Sequence, residues 1–276
     1  PVNPTGAGNP NPYFLGLNVA FNATFASIAE QLWHSKIASV LPMSSEVEGF
    51  GWTDPAKRAR EWKGARQADQ PAPRTYFLTA KPYEKTIEVD QFRFTDDQFG
   101  ILQRSVADTA TMLAKEPDYQ LRDLILNLGS QTGAYQIGLD GLTHWNASHP
   151  VSYYDASYGT YNNDYRGAAG VGGIGGPLAM NAYVTARYDM MQRKGAHGEV
   201  LGIRPNLLAH GPTLDATARQ LINSTFLGLK SFYGQTDNVG AAENMMKGTV
   251  DTFMIPDLGT SLDWLLSLVI ARDRWN

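Results

Sequence analysis

The feature that most constrains the fold is a long amphipathic stripe in the middle of the chain. Thr95, Asp96 and Asp97 supply short polar side chains that accept the free amides of a helix's first turn. Ile101, Leu102, Val106 and Leu113 then follow helical spacing, and Leu121, Leu124, Ile125 and Leu128 continue it. Pro117 is expected to kink or restart the helix, because it has no amide hydrogen and its ring crowds the preceding turn. Gly129 is expected to end it. Nearly straight, residues 96–128 would span more than ~40 Å at ~1.5 Å per residue. A rod of that length suits an extended, plate-like subunit better than a small globular domain.

The segments before this stripe are unusual in a different way. The first charged residue is Glu30, and Pro1, Pro4, Pro10 and Pro12 lie ahead of it among Asn and Gly. Such a segment reads as an extended arm. Phe14, Leu15, Leu17, Val19, Phe21 and Phe25 are costly to leave in water at ~25 cal/mol per Å². They are therefore expected to be buried on this chain or on a neighbour. A helix is expected over 19–33, with Phe21, Phe25, Ile28 and Leu32 on one stripe, and a short strand over 37–41. Residues 44–83 read as a polar excursion bounded by strands. It carries Trp52, Trp62, a basic run (Lys57, Arg58, Arg60, Lys63, Arg66) interleaved with Asp54 and Glu61, and a breaker cluster with Pro71 and Pro73. Excursions this long are usually functional or disordered. Alternation over 83–94 predicts a half-buried strand.

After the stripe, residues 129–177 lose nearly all charge and gather Tyr153, Tyr154, Tyr158, Tyr161 and Tyr165. A mixed α/β region follows: a helix over 178–194, a strand over 206–210, a helix over 212–226 opened by proline, and strands over 249–255 and 264–270.

Composition removes several function classes. The net charge is −4 and charged residues make up 18% of the chain, so the basic excess of a dedicated nucleic-acid binder is missing. Cysteine is absent, which excludes disulfides, thiolate metal sites and cysteine nucleophiles. No run reaches the ~18 apolar residues of a membrane span. No basic-then-apolar segment opens the chain as a secretory signal would. The start at Pro1 without methionine suggests a trimmed chain or a fragment.

Asp140, His144 and His149 are the best catalytic-looking set, since two histidines and a carboxylate can hold a metal or move a proton. The histidines are five apart, off the spacing that aligns two ligands on a helix, and Pro150 forces His149 into extended or turn backbone. A hydrogen-bonded structural histidine is the preferred reading. The glycine run 170–176 is followed by Pro177 and not by Lys-Ser/Thr, so it is read as a loop and not a phosphate cradle. The tyrosine cluster has little basic company and suits protein contact.

Several blocks then occur in order: Lys36-Ile37-Ala38, Ser44-Ser45, Gly51-Trp52, Arg60-Glu61-Trp62 with Gly64 and Arg66, Lys81, Tyr83-Glu84, Thr86 and Val89. Asp96-Asp97 precedes Gly100-Ile101, Pro117-Asp118 and Leu128-Gly129 come next, and Asp140-Gly141, Trp145 and His149-Pro150-Val151 close the set. In this order they resemble the Mu gpT-like major capsid proteins, most clearly over 33–151. The resemblance implies an α+β Hong Kong 97-type phage capsid fold. Its parts would be an N-terminal arm and first helix (1–32), an extended loop with flanking strands (33–85), and a peripheral domain with a spine helix (86–150). An axial α/β domain with a Gly/Tyr-rich insert (151–260) and a return strand to the peripheral domain (261–276) complete it. The family continues beyond its Trp-Leu-Leu segment, whereas here only ten residues follow Leu266, so that domain is expected to be incomplete.

The resemblance also implies a function. The chain would be a major head protein that self-assembles into the hexamers and pentamers of an icosahedral shell. The shell would enclose double-stranded DNA by non-specific contact, with portal and cement or decoration proteins as further partners. It would be a virion component assembled in the host bacterial cytoplasm, with no membrane role, no catalytic activity, no cofactor and no metal. Trp52, Arg60, Glu61, Trp62, Lys63, Arg66, Asp96 and Asp97 are the candidate inter-subunit contacts, with Asp123 a further acidic partner. The tryptophans' other outcome is packing on their own hairpin. Asp140, Gly141, Trp145, His149 and Pro150 are the candidate structural motif. An encapsulin-like compartment shell, a head decoration or tail protein, and a hydrolase using Asp140, His144 and His149 remain the competing readings.

Overall fold

The structure, a computed structural model, describes residues 12–53, 57–59, 61–65, 73–87, 100–126, 138, 140–153, 155–164, 178–228 and 241–267. The chain divides into two compact units, one made of residues 1–36 and 81–121 and the other of residues 37–80 and 122–276.

In the first unit, α1 (Pro12–Ala29) packs against α3 (Ile101–Ala114). The half-covered stripe of α1 is Leu17, Phe21, Thr24 and Ile28, at helical spacing. On α3 the buried positions are small, Thr109, Ala110 and Ala114, which lets a partner come close. A short break at Lys115 separates α3 from α4 (Glu116–Leu126). Pro117 falls in the first turn of α4, where a missing amide hydrogen costs nothing, so the expected restart at Pro117 is observed. The proposed cap at 95–97 and the helix end at Gly129 lie outside the described residues.

Three expectations depart from the structure in this part of the chain. The first helix begins at Pro12, well inside the segment read as an extended arm, and ends at Ala29. Proline is compatible with a helix's first turn, and the apolar spacing of Leu17, Phe21 and Ile28 extends back far enough to support it. The strand expected over 37–41 does not form. A short helix, α2 (His34–Ile37), stands at its start. The cause is distant in sequence: the buried carboxylate of Asp118 accepts from the amides of Trp33 (3.3 Å) and His34 (2.9 Å) and also meets His34 Nδ1 at 2.8 Å. This is a helix cap supplied by another element. The strand expected over 83–94 is absent from its described part, 83–87, and the remainder lies outside the described residues.

The second unit holds the main core. Strand β5 (Leu207–His210) is central in a three-stranded sheet, parallel to β8 (Asp251–Met254) and antiparallel to β9 (Trp264–Ser267). Its residues Leu208, Ala209 and His210 are buried on both faces, as a central strand requires. Helices α5 (Met180–Gln192) and α6 (Asp215–Asn223) complete the core, which joins Leu178, Met180, Tyr183, Leu208, Leu214, Ala218, Leu221, Ile222 and Val250. The expected helix over 212–226 is shorter: Pro212–Leu214 is a 3-10 turn, α6 ends at Asn223, and Phe226 opens β6 (Phe226–Gly228), which pairs with β7 (Ala241–Glu243). Asn244 explains the early stop. Its buried amide donates to the carbonyls of Leu221 (2.7 Å) and Ser224 (2.9 Å), satisfying the end of α6. The strand expected over 264–270 appears at Trp264–Ser267, beside β5.

Candidate functional site

Strands β1 (Val47–Thr53) and β2 (Pro73–Thr79) form an antiparallel hairpin, in register from Val47 opposite Thr79 to Thr53 opposite Pro73. Residues 54–72 are its connection. The period of two sorts the side chains. Glu48, Phe50, Tyr76 and Leu78 share a face and are half-covered; Val47, Gly49, Gly51, Thr75 and Phe77 share the other and are exposed. Phe77 is 67% exposed and lies across Gly49, where a β-carbon would come within 3.1 Å of the ring and 2.9 Å of Thr75 Cγ2. A side chain at 49 would therefore have to displace the Thr75 methyl or the Phe77 ring.

The connection carries the candidate contact residues. Trp62 is 72% exposed, with its Nε1 donating to the Gly64 carbonyl at 2.6 Å. The indole's polar edge is thus held by its own loop while its apolar surface meets solvent. Lys63 pairs with Glu61 at 2.7 Å, both side chains largely exposed, and an exposed pair of this kind adds little stability. Trp52 sits in β1 opposite Arg74. The side chain of Trp52, together with Arg60, Arg66, Asp96 and Asp97, lies outside the described residues. Asp123, the further acidic candidate, is engaged by Arg122 through Nε (2.9 Å) and Nη2 (2.7 Å).

The motif Asp140, Gly141, Trp145, His149 and Pro150 builds a compact polar cluster. Asp140 Oδ1 accepts the Leu142 amide at 3.1 Å, and Asp140 Oδ2 pairs with His149 Nδ1. The other ring nitrogen of His149 faces the His144 backbone carbonyl at 3.1 Å. His149–Pro150 forms β3, paired with β4 (Thr160–Tyr161). That pairing stacks the His149 ring on Tyr161 at 5.2 Å, and the Arg193 guanidinium covers the Tyr161 ring at 4.5 Å. Arg193 also donates to the Asn162 carbonyl at 2.9 Å, and Asn163 donates to the His144 carbonyl at 2.6 Å. Trp145 Nε1 reaches the Leu124 carbonyl in the last turn of α4 at 3.2 Å. Burial raises the Tyr161 phenol above its ordinary value, Arg193 opposes the rise, and Asp140 adds to it.

The hydrolase reading finds no converging site here. His149 meets the backbone of His144, not its ring, and the His144 ring packs edge-on against Trp145 at 4.8 Å. Although solvent reaches the His144 ring, close-packed atoms around it lower its pKa, and the neighbouring His149 lowers it further. Among the described residues no group of three or more His, Asp or Glu side chains is placed to hold a metal ion. Among them, too, no helix is long and apolar enough to cross a membrane.

Tyr161, Arg193 and Asn163 were not singled out for this cluster from sequence. Tyr161 was read with the other tyrosines as a contact residue, and nothing local marks Arg193, which arrives from the end of α5. Asp118 had a signal only through the Pro117-Asp118 block.

Residues 11–174 and 164–257 match the family described as Mu-like prophage major head subunit gpT. The chain belongs to this family. The major capsid protein of Escherichia phage Mu is 29% identical over 118 residues, which are 43% of this chain and 37% of that protein. The chain thus spans well under half the length of this gpT relative. Among solved structures, a chain from the capsid of bacteriophage JBD30 decorated with minor capsid protein trimers superposes with a TM-score of 0.61 at 18% identity, covering 83% of this chain and 91% of that one. A chain of the JBD30 procapsid gives 0.53 at 16% identity, covering 90% and 99%. The gpT-family chain therefore has the α+β fold of phage capsid proteins.

Proposed function

We propose that this gpT-family chain is the major capsid subunit of a tailed bacteriophage, without enzymatic activity. Many copies would close as hexamers and pentamers into an icosahedral shell around double-stranded DNA. The observation that carries this reading is the hairpin of β1 and β2. It is built in full register, yet it leaves Phe77 and Trp62 in solvent. An isolated two-stranded hairpin is marginal in water, so apolar groups on it are better used against a neighbouring copy. In this reading the fold is of Hong Kong 97 type. The hairpin tip is its extended loop, α3 and α4 are its spine, and the sheet around β5 is its axial part.

Trp52 and Trp62 act as anchors in the contact, because tryptophan commonly carries interface energy. Arg60, Lys63 and Arg66 meet acidic residues such as Asp96 and Asp97 of the neighbouring copy and set register more than affinity. Because each contact recurs many times per shell, modest contacts suffice. The net charge of −4 fits a wall that encloses DNA by non-specific contact. Portal and decoration proteins are further partners, and the likeness to a decorated capsid supports the second. Assembly takes place in the host bacterial cytoplasm.

Deleting residues 55–70 tests the reading. Electron microscopy of the purified variant is expected to find no closed shells under conditions in which the intact chain forms them. Normal shells from the variant would remove the hairpin from the mechanism.

A further inference from the structure

Asp140-Gly141 is the one place in the 276 residues where Asp or Asn precedes Gly. This linkage is chemically fragile because glycine has no side chain to shield its amide nitrogen. The Gly141 nitrogen can attack Asp140 Cγ, forming a C–N bond and expelling water to give a five-membered imide. Water then opens the imide. Attack at Cγ restores aspartate, and attack at the main-chain carbonyl carbon leaves an isoaspartyl linkage with one extra backbone methylene and no change in mass.

We infer that residue 140 is a latent isoaspartate site and that the Asp140–His149 cluster is the lock that keeps it closed. Expelling water requires one carboxyl oxygen to leave, and both are held: Oδ1 by the Leu142 amide at 3.1 Å, Oδ2 by the His149 ring. The carboxylate is 4% exposed, so little water reaches it. The attacking nitrogen is engaged as well, since the Gly141 amide donates to the Gly138 carbonyl at 3.0 Å. The turn is pinned a second time where the Gly138 amide donates to the Leu142 carbonyl at 2.6 Å. Gly141 has φ +73°, a left-handed conformation that other residues adopt at a cost. Replacing it would remove the labile bond but strain the turn, so protection falls to the surrounding side chains. An extra methylene here would dissolve the turn and pull the carboxylate away from His149.

The test incubates the full-length chain, folded and in denaturant, side by side at mildly acidic pH, because a carboxyl loses its oxygen as water only from the protonated form. Isoaspartate at 140 is then quantified by electron-based fragmentation of the peptide, which separates the two linkages of equal mass. The denatured chain is expected to accumulate isoaspartate several-fold faster than the folded chain. His149→Ala, read in protein that retains its cooperative thermal transition, is expected to move toward the denatured rate. Equal rates in folded and denatured wild type overturn the inference, as does a folded His149→Ala variant that stays at the wild-type rate. The first comparison needs no variant and stands even where His149→Ala does not fold.

Discussion

The sheet around β5 and the hairpin of β1 and β2 use apolar residues to opposite ends. At β5, Leu208 is fully buried among Tyr183, Leu214, Ala218, Leu221 and Ile222, and the phenol of Tyr183 is satisfied by Thr249 Oγ1 at 2.7 Å. The apolar groups there are covered within their own unit. On the hairpin, Phe77 and Trp62 are placed with equal care, over Gly49 and on the Gly64 carbonyl, yet their surfaces remain open. In the proposed function, that open apolar surface is what a neighbouring copy covers. A core residue should therefore matter to the single subunit, and a hairpin residue to the assembly.

The sharpest way to break this contrast is Leu208→Ala. Removing a fully buried leucine costs ~2–5 kcal/mol through lost transfer energy and the cavity left behind. Denaturant unfolding of the unassembled subunit is expected to register a loss in that range. A loss near zero would mean that the sheet is not the stabilising core.

The division between the two regions was partly legible before any coordinates. Period 3.6 over α3, α4 and α5, and the short apolar runs of β5, β8 and β9, depend on local spacing, and each element was found near its expected place. The excursion expected over 44–83 fared differently: neither bounding strand is seen among the described residues of 37–41 and 83–87, and β1 and β2 form inside it. What the sequence hid was non-local. The Asp118 carboxylate turns 34–37 into a helix from a distant element, and Asn244 stops α6 from beyond the β6–β7 hairpin. In the cluster, the Asp140 and His149 pairing was marked by the ordered motif. Tyr161 and Arg193 enter only because β3 pairs with β4 and α5 ends where it does. Local patterns reveal elements; a capping or stacking partner contributed by another element leaves no periodic trace.

A second test acts on the other side of the contrast. Trp62→Ala removes a side chain that buries little within its own chain. The unassembled subunit is expected to keep its stability to within ~0.5 kcal/mol, as surface substitutions usually do. Shell yield, followed by light scattering and microscopy, is expected to fall. A stability loss as large as that of Leu208→Ala would place Trp62 in the subunit's own core and return the hairpin to a purely internal role.

The smallest effect concerns pH and belongs to neither extreme, because His144 sits on the exposed side of an otherwise closed cluster. Its packed surroundings, and next the charge of His149, depress its folded pKa below the unfolded value of 6.5. Above pH 6.5 both states hold a neutral ring and the histidine contributes nothing to the pH dependence. Below it the unfolded chain takes up the proton first, so stability falls as pH drops through the folded pKa. His144→Asn removes the titrating ring. The subunit's stability, measured by urea unfolding at steps from neutral to mildly acidic pH, is expected to decline less steeply in the variant than in the wild type. An unchanged slope would assign the acid sensitivity to other groups and leave His144 a packing residue against Trp145.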